Sequence, residues 1–150
     1  MLSWLAKLII SRNMACIRAG DYRPLLRLDA TDVRFRFPGD SSWAAELQGK
    51  EELARWLRRF TDAGIQIFPD EVILKGPPWN ATICVRGTDH LDDPGGTRVY
   101  ENRYVIGGTM RWGLLKEYEV YEDTQASRAL DHYLAGHGGT PASAQASPEL

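Results

Sequence analysis

Hydrophobic positions recur with two different periods along this chain, and the change of period divides it. From Ser3 to Ala19 the spacing predicts an amphipathic helix, with Leu5, Leu8, Ile9 and Cys16 on one stripe and Gly20 as its stop. A short second helix follows, capped by Asp21, with Pro24 in its first turn and Leu25, Leu26 and Leu28 on its apolar face. Asp29-Ala30-Thr31-Asp32 reads as a turn. The period then drops to two. Val33-Arg34-Phe35-Arg36-Phe37 alternates strictly and predicts a strand, stopped by Pro38-Gly39. After a loop from Asp40 to Trp43, a helix is predicted from Lys50 to Ala63. Leu53, Trp56, Leu57 and Phe60 form its i, i+3, i+4, i+7 stripe, and Arg55, Arg58 and Arg59 face water. Glu51 and Glu52 sit in its first turn, where the helix dipole favours them.

Strand patterns dominate the rest. Ile65 to Lys75 contains a strand broken near Pro69, Ala81 to Leu91 is another, and Asp92-Asp93-Pro94-Gly95-Gly96 is a tight turn. Arg98 to Thr124 reads as a long hairpin about Trp112-Gly113. Thr124 then caps a last helix through Ala126, Leu130 and Leu134, ending near Gly136. Helices followed by a run of strands give an α+β order. A curved antiparallel sheet wrapped around the N-terminal helices makes a cone, and its mouth can hold a small molecule. Residues 1–137 form one domain, and the Gly, Ala, Ser and Pro-rich stretch 138–150 is expected to be disordered.

The hairpin carries charges inside its strands, not only at their ends. Arg98, Tyr100, Asn102, Tyr104 and Ile106 share one face of its first strand, and Lys116, Tyr118, Val120 and Glu122 share one face of its second. Which sets lie together depends on the turn and on any bulge, because a slip of one residue exchanges the faces. Such interleaving suits either a polar-apolar cavity wall or a solvated face.

Composition narrows the partners. The formal net charge of -2 leaves no electrostatic footprint for nucleic acid or an anionic membrane, so neither is expected as a partner. Cys16 and Cys84 are expected to be free and reduced. Lys7 and Arg12 interrupt the apolar N-terminal run, which therefore reads as a helix of the domain, neither export signal nor membrane span. A cytoplasmic location is the expectation.

Helices ending in Ala19-Gly20-Asp21, then DATDVRFRFPG, the GKEELARWLRRF helix and the closing strand RWGLLKEYEVYEDT resemble the nuclear transport factor 2-like superfamily, a cystatin-like roll. The SnoaL-like branch is the most similar. The resemblance covers residues 3 to 135 and is specific for fold, not for function, since the fold hosts isomerases, cyclases, hydrolases and plain binders. Ketosteroid isomerases place a catalytic aspartate where this chain has Phe37, an oxyanion tyrosine at Asn13 and an oxyanion aspartic acid at Asn102. Polyketide cyclases carry an aspartate matching Val120 and a histidine matching Tyr118. Neither catalytic set is intact. The matches favour one inner face for Asn102, Tyr118, Val120 and Glu122, and outer-face dimerisation in the superfamily implies a homodimer.

The resemblance therefore implies a small-molecule pocket protein: a cofactor-independent isomerase, cyclase or hydrolase acting on a hydrophobic carbonyl-type ligand, or a non-catalytic binder or dimerisation module of the same fold. Asn102 and Tyr118 would hold the ligand oxygen, and Glu122 or His90 would move the proton. Tyr104, Val120, Phe37, Trp43, Trp79 and Arg86 would line the pocket, Trp43 and Trp79 as lids or else as ordinary core plugs, and Arg86 paired with Glu101 or Glu122 or else crossing the sheet to another carboxylate. Asp89, His90, Asp92 and Asp93 fit no standard metal spacing, and nothing requires a metal or cofactor. A residue kept for a ligand is dispensable for folding, so Asn102→Ala is expected to cost little stability.

Overall fold

The structure, a computed structural model, describes residues 2–137; Met1 and the stretch 138–150 lie outside the described residues. In chain order the elements are α1 (Leu2–Arg18), α2 (Arg23–Leu26), β1 (Asp29–Phe37), β2 (Ala45–Gln48), α3 (Lys50–Asp62), β3 (Gln66–Lys75), β4 (Ala81–Asp92), β5 (Arg98–Arg111), β6 (Leu114–Glu122) and α4 (Thr124–Gly136). The strands form one sheet in the order β2-β1-β6-β5-β4-β3. Every neighbouring pair is antiparallel except β1 and β6, which run parallel. The inner face carries the core of Val33, Phe35, Phe37, Leu53, Leu57, Phe60, Val85, Tyr104 and Leu130.

The α+β reading holds, with several differences. Arg59, read as facing water, is half-buried over Trp43, and Tyr22, not Asp21, stands at the N-cap of α2. Asp29 to Asp32 are the first residues of β1, not a turn, because Asp29 pairs with Leu115 on β6. The loop after Trp43 contains the short edge strand β2. Asp123, not Thr124, caps α4, its carboxylate accepting from the Gln125 N–H at 2.9 Å. On α1 the buried row is Ile10, Asn13, Met14 and Ile17, while Leu5, Leu8 and Ile9 face outward. Both ends of α1 are pinned along the edge strand β3, by Ser3 to the Leu74 carbonyl (3.3 Å) and Arg18 to the Ile67 carbonyl (2.7 Å). That contact, not the richest apolar stripe, decides which side is buried.

The hairpin register follows from its turn and one bulge. Trp112 and Gly113 both have positive φ (52° and 81°), the twist that a two-residue hairpin loop needs. A bulge between Thr109 and Met110 then leaves Lys116 without a partner and resets the parity. Tyr104 lies opposite Glu122, Ile106 opposite Val120 and Gly108 opposite Tyr118. Gly87 serves a close approach: a Cβ there would lie 2.5 Å from the Tyr104 hydroxyl and 2.0 Å from the Phe68 carbonyl, which are hydrogen-bonded at 2.9 Å.

Candidate functional site

The end of the sheet away from the Trp112-Gly113 turn is closed by α4 and by the loop before β2. Asn102 holds the start of α4, donating to the Asp123 carbonyl at 2.9 Å. Asp131 on α4 accepts from the Ser42 N–H (2.6 Å) and hydroxyl (2.5 Å). Arg59 donates to the Ser42 carbonyl at 2.7 Å and lies 3.8 Å over the Trp43 ring. Burial lowers the pKa of Arg59, against the pull of Asp131. Beneath this cover lies a cavity of about 10 Å³, room for about one water. Phe37, Trp43, Phe60, Ile65 and Leu130 supply its apolar wall, and Asp89, Tyr100, Glu122 and Ser127 its polar wall.

The polar wall contains two carboxyls, Asp89 buried and Glu122 half-buried. Asp89 is 3% exposed; its Oδ2 accepts from the Tyr100 hydroxyl at 3.1 Å and its Oδ1 has no protein partner. Burial pushes its pKa up to about 6, against the Tyr100 hydrogen bond. Glu122 accepts from the Ser127 hydroxyl. Burial pushes Glu122 up to about 7, opposed by that hydrogen bond and reinforced by the charges of Asp89 and Asp123. Tyr100 is held protonated by burial and by both carboxylates, so it serves as a donor. Among the described residues no cation forms a salt bridge to either carboxyl.

The residues singled out from the sequence are dispersed. Asn102, Tyr104, Tyr118, Val120 and Glu122 share the inner face, but only Glu122, with Phe37 and Trp43, reaches the cavity. The Asn102 amide is spent on backbone: besides Asp123, its Oδ1 accepts from the Arg103 N–H at 2.8 Å. The Tyr104 hydroxyl is a strut to Phe68 and Met14, and Val120 is core. His90 lies on the outer face, stacked on Phe68 at 5.6 Å, because its neighbour Asp89 takes the inward position. Arg86 is also outside and pairs with Glu71 at 2.9 Å, not with Glu101 or Glu122. Trp79 sits exposed in the β3–β4 turn, at the opposite end of the sheet from the cavity.

From the sequence Asp89 was weighed only as a metal ligand and Tyr100 only as a member of the face shared with Asn102, while Ser127 was not singled out. The signal for Asp89 was its phase: it continues the inward series Ile83, Val85, Gly87 and Leu91. An acid at such a position is buried. Asp29, 1% exposed, is a second fully buried carboxyl, raised to about 7 by burial against the attraction of Lys50. The Tyr118 hydroxyl faces it, yet neither group completes a hydrogen bond. This pair lines no described cavity.

A larger depression, about 700 Å³, lies on the outer face between β2, β1, β6 and β5. Its charges are exposed and paired: Arg34 with Glu117 (2.6 Å) and Arg36 with Glu46 (3.4 Å) and Glu119 (3.7 Å). Solvent screens such pairs, so the small inner cavity is the better place for proton chemistry. Among the described residues no three His, Cys, Asp or Glu side chains converge in metal-holding geometry.

No protein-family model and no curated protein matches the sequence. Solved structures do match. A nuclear transport factor 2-like protein of unknown function from Burkholderia pseudomallei is 20% identical, with a TM-score of 0.67 over 83% of this chain and 95% of that one. TerC, crystallised with polyporic acid, is 24% identical, with a TM-score of 0.67 over the same shares of 83% and 95%. A candidate polyketide cyclase from Sinorhizobium meliloti is 20% identical, with a TM-score of 0.56 over 75% of this chain and 93% of that one. The chain therefore has the nuclear transport factor 2-like fold.

Proposed function

We propose that this nuclear transport factor 2-like domain is a small-molecule pocket protein of the SnoaL-like kind, in which Asp89 and Glu122 form an acid–base pair acting on a hydrophobic carbonyl-type ligand. The observation that carries this reading is the meeting of two carboxyls of raised pKa, with the Tyr100 hydroxyl, at one apolar-walled cavity. Groups with pKa near working pH exchange protons most effectively, and burial is the ordinary means of raising a carboxyl to that range. Near neutral pH the Asp89 carboxylate takes a proton from the carbon beside the ligand carbonyl. The Glu122 acid donates to the carbonyl oxygen, giving an enol, and return of the proton at another carbon completes an isomerisation or sets up a cyclisation. Tyr100 steadies the Asp89 charge. A ligand larger than water enters only if α4 and the Trp43 loop part, which the hydrogen bonds of Asn102 and Asp131 govern.

The closed cavity favours a second reading, a binder without chemistry. Two measurements separate them. Polyporic acid, taken from the TerC structure as a first probe, and a set of hydrophobic enones are screened by thermal shift. Any binder is then incubated in D₂O and its carbon-bound deuterium measured. The proposal predicts a raised Tm and deuterium exchange that Asp89→Asn and Glu122→Gln each slow by at least about a hundredfold, the lower end of the range for a positioned acid or base. A raised Tm without exchange supports the binder, and exchange unaffected by either substitution removes the pair from the chemistry.

A further inference from the structure

The end of the molecule opposite the cavity exposes several large apolar side chains. Register places its parts together: Lys75 ends β3 opposite Thr82, Ala81 lies opposite Met110, and Arg111 lies opposite Leu114. Ser3, at the start of α1, bonds the Leu74 carbonyl, so the outward residues of α1 border the same end. Three tryptophans project there: Trp4 is 62% exposed, Trp79 57% and Trp112 74%. Trp79 and Trp112 meet at 6.1 Å across the two turns, which are joined by the Trp112 N–H and the Pro78 carbonyl at 2.6 Å. Leu5, Leu8, Ile9, Ile73 and Leu114 extend the apolar surface. Trp112 has φ of 52°, where a small polar residue or glycine is the unstrained choice, so a bulky ring is carried there at a conformational cost.

Charge identifies the occupant. The stretches 2–18, 72–88 and 102–116 contain no acidic residue, although the whole chain has a net charge of -2. Lys7, Lys75 and Arg111 are exposed around the tryptophans, with Arg12 exposed further along α1, and among the described residues none of them makes a salt bridge. A second copy seated on this end would bring like charges together, which opposes self-association. Tryptophan and leucine rimmed by lysine and arginine suit the headgroup layer of an anionic bilayer, where the rings sit at the interface and the cations meet lipid phosphates. No described helix is long and apolar enough to cross a membrane, so the contact is one of lying on the surface.

We propose that the tip formed by the start of α1 and the β3–β4 and β5–β6 turns docks on anionic lipid bilayers through Trp4, Trp79 and Trp112, with Lys7, Lys75 and Arg111 as its electrostatic rim. Net charge alone argues against a membrane partner; the distribution of charge argues for one. Docking would leave the cavity end pointing away from the bilayer.

The test uses the full chain with vesicles of phosphatidylcholine alone and of phosphatidylcholine mixed with phosphatidylserine. Co-sedimentation with the mixed vesicles only, weakened by salt, and a blue shift of tryptophan fluorescence are expected. Trp79→Ser with Trp112→Ser should lower partitioning at least tenfold. Lys75→Gln with Arg111→Gln should lower it about twentyfold, each surface cation being worth roughly a fivefold change. Thermal unfolding of each variant, expected to match the parent, confirms that it is folded. No sedimentation with the mixed vesicles, equal binding to both kinds, or binding untouched by the tryptophan substitutions overturns the proposal. So does a parent dimer that the tryptophan substitutions convert to monomer without any vesicle binding, since that assigns the patch to a second copy.

Discussion

Asp89 and His90 are neighbours in sequence on opposite faces of one sheet, and the two faces treat charge in opposite ways. On the outer face carboxylates meet cations: Glu71 with Arg86, Glu101 with Arg98, Glu117 with Arg34 and Glu119 with Arg36. On the inner face Asp29 and Asp89 are buried and Glu122 half-buried among aromatic and aliphatic side chains, with hydroxyls as their nearest polar company. Identical chemistry thus gives solvated ion pairs on one side and proton-retaining acids on the other. An alternating strand supplies both at once. Chemistry is to be sought where a charge is costly, not where charges are numerous.

The largest expected effect breaks the inner side. Trp56 packs against Phe35, Phe37, Trp43 and Phe60 and donates its indole N–H to the Trp43 carbonyl at 3.0 Å. Trp56→Ala should cost about 3–5 kcal/mol in denaturant unfolding. Next comes Asn102→Ala, at about 1 kcal/mol, because the part-buried Asp123 carbonyl before α4 and the Arg103 N–H on β5 lose their partner. This reverses the expectation from sequence that the residue is dispensable for folding. An unchanged midpoint would mean that α4 is seated by other contacts.

The inner acids should make stability fall as pH rises. Their folded pKa values lie above the ordinary carboxylate range, so the folded state holds more protons than the unfolded one. The sign of the linkage is then negative: stability is fully present below pH about 4 and is lost as pH rises through about 6 for Asp89 and about 7 for Asp29 and Glu122. At pH about 8, Asp89→Asn and Glu122→Gln should each stabilise the protein by about 1–3 kcal/mol, and the gain should vanish near pH 4. Equal effects at both pH values would deny the shift.

On the outer face Arg36→Ala should change stability by no more than about 0.5 kcal/mol in the monomer, since its two partners are exposed. We propose that the same trough of alternating charge is where two copies pair. If so, Arg34→Glu with Arg36→Glu should convert a dimer to a monomer in light scattering, and a parent of monomer mass at high concentration would remove the dimer.

The helices around Leu53 and Leu130 and the β5–β6 hairpin were legible because each satisfies one period over many residues. The site was less so. Glu122, Phe37 and Trp43 could be found, but Asn102 and Tyr118 drew attention as polar residues on the correct face while their partners, Asp123 and Asp29, were invisible in one dimension. His90 was misplaced because attention went to its chemistry and not to its parity with Asp89. The face of α1 was misread because its most apolar stripe is the outward one, and only contact with β3 decides the matter. That outward stripe is now the feature that calls for a partner.

The proposed acid–base pair requires that Asp89 and Glu122 titrate well above the ordinary carboxylate range in the folded protein. Carbon-13 NMR titration of the side-chain carboxyls, assigned with Asp89→Asn and Glu122→Gln, tests it most directly. Midpoints of about 6 and about 7 are expected, with the Glu122 midpoint falling when Asp89 is neutralised. Midpoints for both residues at about 4, in the range of exposed carboxylates, would contradict it.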